Sequence, residues 1–150
     1  MRNIATLADM KALVGQEVAV SAWFDITQER IDLFADATGD HQWIHTDVER
    51  ARRESPFGGP IAHGFMTIAL VPAMLESALT MADMKMGVNY GLNKVRLPAP
   101  VPAGSRVRAR LTIQRIDDID GGAQVEWGVL IEREGGDKPV CVAELLMRRY

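Results

Sequence analysis

The spacing of apolar residues changes halfway along the chain, and that change limits the fold more than any other feature. Up to about Met86 apolar residues recur mostly at helical intervals, and beyond Tyr90 they alternate with polar ones. The longest apolar stretch runs from Gly64 to about Met81, where residues such as Phe65, Met66, Ile68, Val71, Met74, Leu75 and Leu79 leave almost no polar face on a helix. A helix of that kind has to be covered on several sides, so the pattern predicts a central helix wrapped by other structure. Pro72 lies inside it and predicts a kink or a loosened turn, because its ring fixes φ and removes a hydrogen-bond donor. Downstream, Val107, Ala109, Leu111 and Ile113 alternate with Arg108, Arg110, Thr112 and Gln114. Val125, Trp127, Val129 and Ile131 alternate in the same way with Glu126, Gly128, Leu130 and Glu132. Both read as half-buried antiparallel strands. Turn residues at Asp120-Gly121-Gly122 and Glu134-Gly135-Gly136-Asp137 connect them into a meander with a third strand, Lys138 to Arg148. One long helix and such a sheet predict an α+β fold in which the antiparallel sheet curls around the helix. The open edge of that sheet predicts pairing of two subunits.

Shorter elements precede the long helix. Glu17 to Phe24 reads as an edge or opening strand. Thr27 is placed to cap a helix that brings Ile31, Phe34, Ala35 and Thr38 onto one face, and Gly39 ends it. Thr46 or Asp47 caps a second short helix running to Arg53, with acidic residues near its start and arginines near its end. Ser55-Pro-Phe-Gly-Gly-Pro60 is turn chemistry. No repeat or linker divides the 150 residues, so the whole of 1–150 is expected to form one domain around one core.

A formal charge of −3 argues against a chain that coats nucleic acid, and no nucleic-acid partner is expected. The single cysteine, Cys141, has no partner for a disulfide or a CxxC pair and reads as a buried strand residue. The first ten residues lack the apolar core of a signal peptide, and no run is long enough to span a membrane. Cytoplasm is therefore the expected compartment, with no membrane association.

The residues that could carry chemistry are concentrated. All three histidines, His41, His45 and His63, fall within 23 residues in two segments rich in glycine and interrupted by proline. In a continuous helix Asp40 and His45 would stand roughly 140° apart and could not converge. Gly39 lets the chain leave the helix, and a turn would then point both side chains into one cleft. A carboxylate beside an imidazole suits general acid–base work, because one can donate while the other accepts. On spacing alone, the plainer reading has the greater weight: Asp40 capping a turn and His45 satisfied by hydrogen bonds. Metal-ligand spacings such as HxxxH, HExxH or CxxC are missing, so no metal is expected.

The segment Phe57-Gly-Gly-Pro-Ile-Ala-His63-Gly64 leads into the long helix. Backbone N–H groups at a helix start have no internal acceptor, so Gly64 could offer a donor to a developing oxyanion, with His63 beside it. A tight turn and close packing explain the same glycines. Asn93, Lys94 and Arg96 could meet phosphate or amide groups of a substrate, and a solvated edge strand explains them equally. Four methionines between Met74 and Met86 could line an acyl pocket, although filling a core is the more frequent use of methionine.

Three segments taken together resemble the MaoC-like dehydratase family, and more closely its NodN-like branch. Phe34-Ala-Asp-Ala-Thr-Gly-Asp40-His-Gln-Trp-Ile-His45 follows the family pattern of an aromatic, a small residue and Gly-Asp, then x-Asn-Pro-x-His, with Gln42-Trp43 in place of Asn-Pro as in the NodN-like branch. Pro60 to Gly64 and Asn89 to Pro98 match the family's helix-start and following-strand motifs. The resemblance covers residues from about 20 to 148. It implies a hot-dog fold and a homodimer with sites near the subunit interface. It also implies R-specific hydration of trans-2-enoyl-CoA to (R)-3-hydroxyacyl-CoA. By position Asp40 and His45 are then the acid–base pair and the Gly64 N–H holds the thioester oxygen. No cofactor is implied, since CoA enters as part of the acyl-CoA substrate. A hot-dog acyl-CoA thioesterase and a non-catalytic acyl-CoA-binding module are the competing readings.

Overall fold

The computed structural model describes all 150 residues. The first half contains β1 (Arg2–Ile4), α1 (Leu7–Lys11), β2 (Glu17–Val20), β3 (Phe24–Ile26), α2 (Gln28–Thr38), α3 (Trp43–Thr46) and α4 (Val48–Glu54). Then follow α5 (Gly64–Ala69), α6 (Val71–Ala78), β4 (Leu79–Met81), β5 (Gly87–Arg96), β6 (Ser105–Ile119), β7 (Gly122–Arg133) and β8 (Cys141–Arg149). An antiparallel sheet runs in the order β2-β6-β7-β8-β5, with β3 also paired to β6. The meander is formed as the alternation requires: Val107, Ala109, Leu111 and Ile113 of β6 and Val125, Trp127, Val129 and Ile131 of β7 are all buried. Cys141, Ala143 and Leu145 of β8 continue that inner face, against which Val71, Met74, Leu75 and Ala78 of α6 complete the core. Register shifts between Ile113 and Arg115, and twice along β5, interrupt the regular ladder, a feature that bends a strand and increases its twist. Burial pushes the Cys141 thiol up to about 11, in keeping with a structural role.

Three expectations change. The predicted helix from Gly64 to Met81 is broken at Leu70 into α5 and α6, and it ends at Ala78. Pro72 stands in the first turn of α6, where its missing N–H would have had no helical acceptor, so it starts a helix instead of kinking one. Residues 79–81 form β4, drawn away from the helix by parallel pairing with β1, Arg2 opposite Leu79 and Ile4 opposite Met81. The helices are also covered on one side only within this chain, since Phe65 is 77% exposed. The strand predicted for Glu17 to Phe24 is likewise interrupted, with Val20 and Phe24 on separate strands that both pair with β6.

The short helices fall where their caps place them. Thr27 accepts from the N–H of Arg30 at the start of α2, and Gly39 closes it with φ of 77°, a left-handed conformation that favours glycine. Asp47, the second of the two predicted caps, accepts from the Arg50 N–H. No helix is long and apolar enough to cross a membrane.

Candidate active site

Past Gly39 the chain makes a loop stiffened by its own side chains. The Gln42 N–H donates to Asp40 Oδ1 at 3.3 Å, and the Asp40 N–H donates to Thr38 Oγ1 at 3.4 Å. The loop then winds into α3, which carries His45 to the interior. Opposite it runs the extended segment from Pro60 to His63. The Ile61 N–H donates to the Ile44 carbonyl at 3.0 Å and the Ala62 N–H to the Val101 carbonyl at 2.8 Å. This clasp brings His63, at the mouth of α5, against the Asp40–His45 loop.

His45 Nδ1 lies 2.7 Å from the Ile61 carbonyl oxygen. A carbonyl only accepts, so Nδ1 carries the hydrogen and Nε2 keeps its lone pair. Gln28 holds the same residue from behind, its amide donating to the His45 carbonyl at 2.7 Å and to Asp32 at 2.8 Å. His63 stacks on His45 with ring centroids 3.8 Å apart and planes 27° from parallel, and Phe34 closes the other side at 5.0 Å. The Asp40 side chain remains 54% exposed, so water and substrate reach the carboxylate while both imidazoles are buried.

Asp40, His45 and His63 each place a potential ligand atom within 4.8 Å of the others. One nitrogen of each ring faces a carbonyl, Ile61 for His45 and Asp40 for His63. His45 is held below its ordinary value of 6.5, chiefly by burial and also by the neighbouring His63, against the raising effects of the Ile61 carbonyl and Asp40. A neutral imidazole with a free Nε2 is a proton acceptor at neutral pH. If that form is the active one, kcat/KM falls on the acid side with a midpoint below 6.5, read from a pH–rate profile of the free enzyme. A midpoint above that value would contradict it.

Gly64 opens α5, and its N–H has no acceptor in the chain. A Cβ there would meet the end of the exposed Leu97 side chain, which would have to shift to admit it. Gly64 and Leu97 border an apolar cavity of about 330 Å³ that also touches Phe57, Thr67 and Val140. A second cavity, about 410 Å³, lies at the junction of α5 and α6, between Ile68 to Pro72 on one side and Asn89 to Leu92 on the other. Gly64 and Thr67 of α5 line the first cavity, and Ile68 of α5 with Val71 and Pro72 of α6 line the second. No methionine lines either of them; Met74 is in the core and Met86 is exposed.

Asn93, Lys94 and Arg96 are not brought to this cluster within the chain. Leu92 and Val95 stand opposite Leu145 and Ala143 of the inner face, whereas Lys94 and Arg96 stand opposite Glu144 and Val142 of the outer one. Asn93 sits at a register shift between them. His41 is exposed beside Asp36 at 3.7 Å, outside the cluster. Gln28 and the Ile61 carbonyl were not marked by the sequence, and neither carries a signal at that level.

The antiparallel sheet with helices on its inner face is a hot-dog fold, and a carboxylate and two imidazoles meet beside the start of α5. The sequence matches the MaoC-like domain family over residues 9–134, and the chain belongs to that family, among its hydratase/dehydratase lyases. It is 52% identical to 3-hydroxyacyl-thioester dehydratase Z of Mycobacterium tuberculosis, over 99% of this chain and 98% of that protein. It is 45% identical to nodulation protein N of Rhizobium leguminosarum bv. viciae, over 92% of this chain and 87% of that protein. The solved R-hydratase PhaJ1 of Pseudomonas aeruginosa shares the fold, with a TM-score of 0.74 over 91% of this chain and 81% of that one at 24% identity.

Proposed function

We propose that this chain adds water reversibly across the double bond of a trans-2-enoyl-CoA to give the (R)-3-hydroxyacyl-CoA. The observation that carries the reading is the convergence of an exposed Asp40 carboxylate with a buried, neutral His45 whose Nε2 is free. Conjugate addition joins the water oxygen to C3, moves electron density toward the thioester oxygen, and places a proton on C2. The Asp40–His45 pair takes the proton that water loses and returns one to C2, so the pair ends as it began. The unpartnered Gly64 N–H is suited to accept the charge that builds on the thioester oxygen. The reaction calls for no metal or redox cofactor, and the apolar cavities beside α5 and α6 suit an acyl chain.

A homodimer accords with this reading. β5 ends the sheet with one edge unpaired, and Val88, Tyr90 and Leu92 on it are exposed. A second copy would cover that edge and those side chains. Such pairing would also give Asn93, Lys94 and Arg96 a route to the partner's substrate that they lack within their own chain.

The test is an assay of crotonyl-CoA and longer enoyl-CoAs that follows enoyl absorbance and free thiol together. Hydration consumes the enoyl absorbance and releases no thiol. Thiol release would instead mark a thioesterase, and saturable binding without turnover a binding module.

A further inference from the structure

We propose that His63 is a positioning residue for the acid–base pair: it holds the Asp40 main chain through Nε2 and the His45 ring through stacking, and does not itself contact substrate. The proposal rests on the hydratase reading above. Its side chain is 3% exposed, its Nδ1 is buried and its Nε2 is engaged by the Asp40 carbonyl, so no ring nitrogen is left open to substrate. His63 Nε2 lies 2.9 Å from the Asp40 carbonyl oxygen, and because a carbonyl only accepts, Nε2 must carry the hydrogen. That bond ties a loop 23 residues earlier in the chain to the mouth of α5. The other hydrogen bonds of Asp40 itself are local and long, at 3.3 and 3.4 Å, so the His63 bond is its tertiary anchor.

The other faces of the ring are committed as well. One lies against His45 at 3.8 Å, and Phe34 stands tilted beside the ring at 5.0 Å, so the imidazole is packed against both an aromatic and the second member of the pair. Nδ1 is buried with no hydrogen-bond partner. Leaving a buried acceptor unpaired has a cost, and an apolar ring would avoid it. The nitrogen that does bond is therefore what distinguishes histidine from phenylalanine here, and its acceptor belongs to Asp40. A bond to the main chain sets where the carboxylate starts from, and displacement of a reacting group by about 1 Å can lower a rate by about 100-fold.

Two substitutions separate the bond from the ring. His63→Phe keeps a stacking ring and loses the donor; His63→Gln places an amide N–H near the former Nε2 and loses the ring. With crotonyl-CoA, His63→Phe is expected to lose about 10- to 100-fold in kcat with KM within about threefold of wild type. His63→Gln is expected to recover most of that loss. Wild-type kcat in His63→Phe, or an equal loss in both variants, would overturn the proposal. A rise in KM with kcat unchanged would also overturn it, because that pattern marks a substrate contact. Ring nitrogen resonances of the unmodified protein give a readout independent of variant folding: His63 should be protonated at Nε2 and bare at Nδ1, and the reverse tautomer would refute the bond. If the unmodified protein does not hydrate enoyl thioesters at all, the functional reading fails while the tautomer measurement still tests the bond.

Discussion

Asp40→Asn and His45→Gln are each expected to lower kcat for enoyl-thioester hydration by about 10²–10⁴-fold, the range associated with loss of a positioned acid or base. The physical case differs for the two residues. Asn fills the volume of Asp40 and can still accept from the Gln42 N–H, so the loop keeps its shape while the group that takes and returns protons is gone. Gln at position 45 can still reach the Ile61 carbonyl with its amide, but no basic nitrogen remains where Nε2 stood. The pair works as a unit, so the double variant should fall little further than the worse single one. KM should move less than kcat, because neither side chain lines the apolar cavities that suit the acyl chain. Steady-state kinetics with crotonyl-CoA, together with circular dichroism to confirm folding, checks each statement. Full activity in both single variants would remove the pair from the mechanism.

The largest expected effect on stability comes from Trp127. It is 0% exposed and heads the fully buried side chains by volume, on the central strand β7 between Ile113 of β6 and Leu145 of β8. Trp127→Ala empties the middle of the core and should cost about 4 kcal/mol, within the range for large aromatic truncations. For a domain of this size that corresponds to a fall in Tm of roughly 8–16 °C. Trp127→Phe gives a second, sharper expectation. The indole Nε1–H is buried with no acceptor, so its removal forfeits no hydrogen bond and leaves only a smaller cavity. That variant should lose about 1–2 kcal/mol in chemical denaturation. A Phe variant as unstable as the Ala variant would mean that the indole nitrogen is bonded in the native protein.

The parts of this fold that were legible in the sequence are those governed by local rules. Alternation marked the buried face of β6 and β7 residue by residue, since one face of a sheet is buried and the period is two. Thr27 and Gly39 marked both ends of α2, because each satisfies a backbone need at a helix terminus. The Gly64 segment shows where local rules stop. Its apolar run gives no sign that residues 79–81 leave the helix, because that departure depends on pairing with β1 some 77 residues earlier. The sides on which Lys94 and Arg96 project were hidden for a similar reason: register shifts insert extra residues into β5, and a shift of one residue reverses the face.

The candidate site divides along the same line. Asp40 and His45 could be marked because a glycine beside them permits the turn that brings them together. His63 could be placed near them but not assigned a partner, because stacking on His45 and bonding to the Asp40 carbonyl are contacts across 18 and 23 residues. Gln28 shows no signal at all; its amide reaches the His45 carbonyl only because α2 and α3 pack together.

The account turns on water being added across the double bond by the Asp40–His45 pair, and the fate of crotonyl-CoA in heavy water tests it most directly. The predicted product is 3-hydroxybutyryl-CoA of R configuration, with one solvent deuterium at C2 and the thioester intact, formed by the unmodified protein and not by Asp40→Asn or His45→Gln. Release of free CoA with the double bond unchanged, or equal deuterated product from both variants, would contradict it.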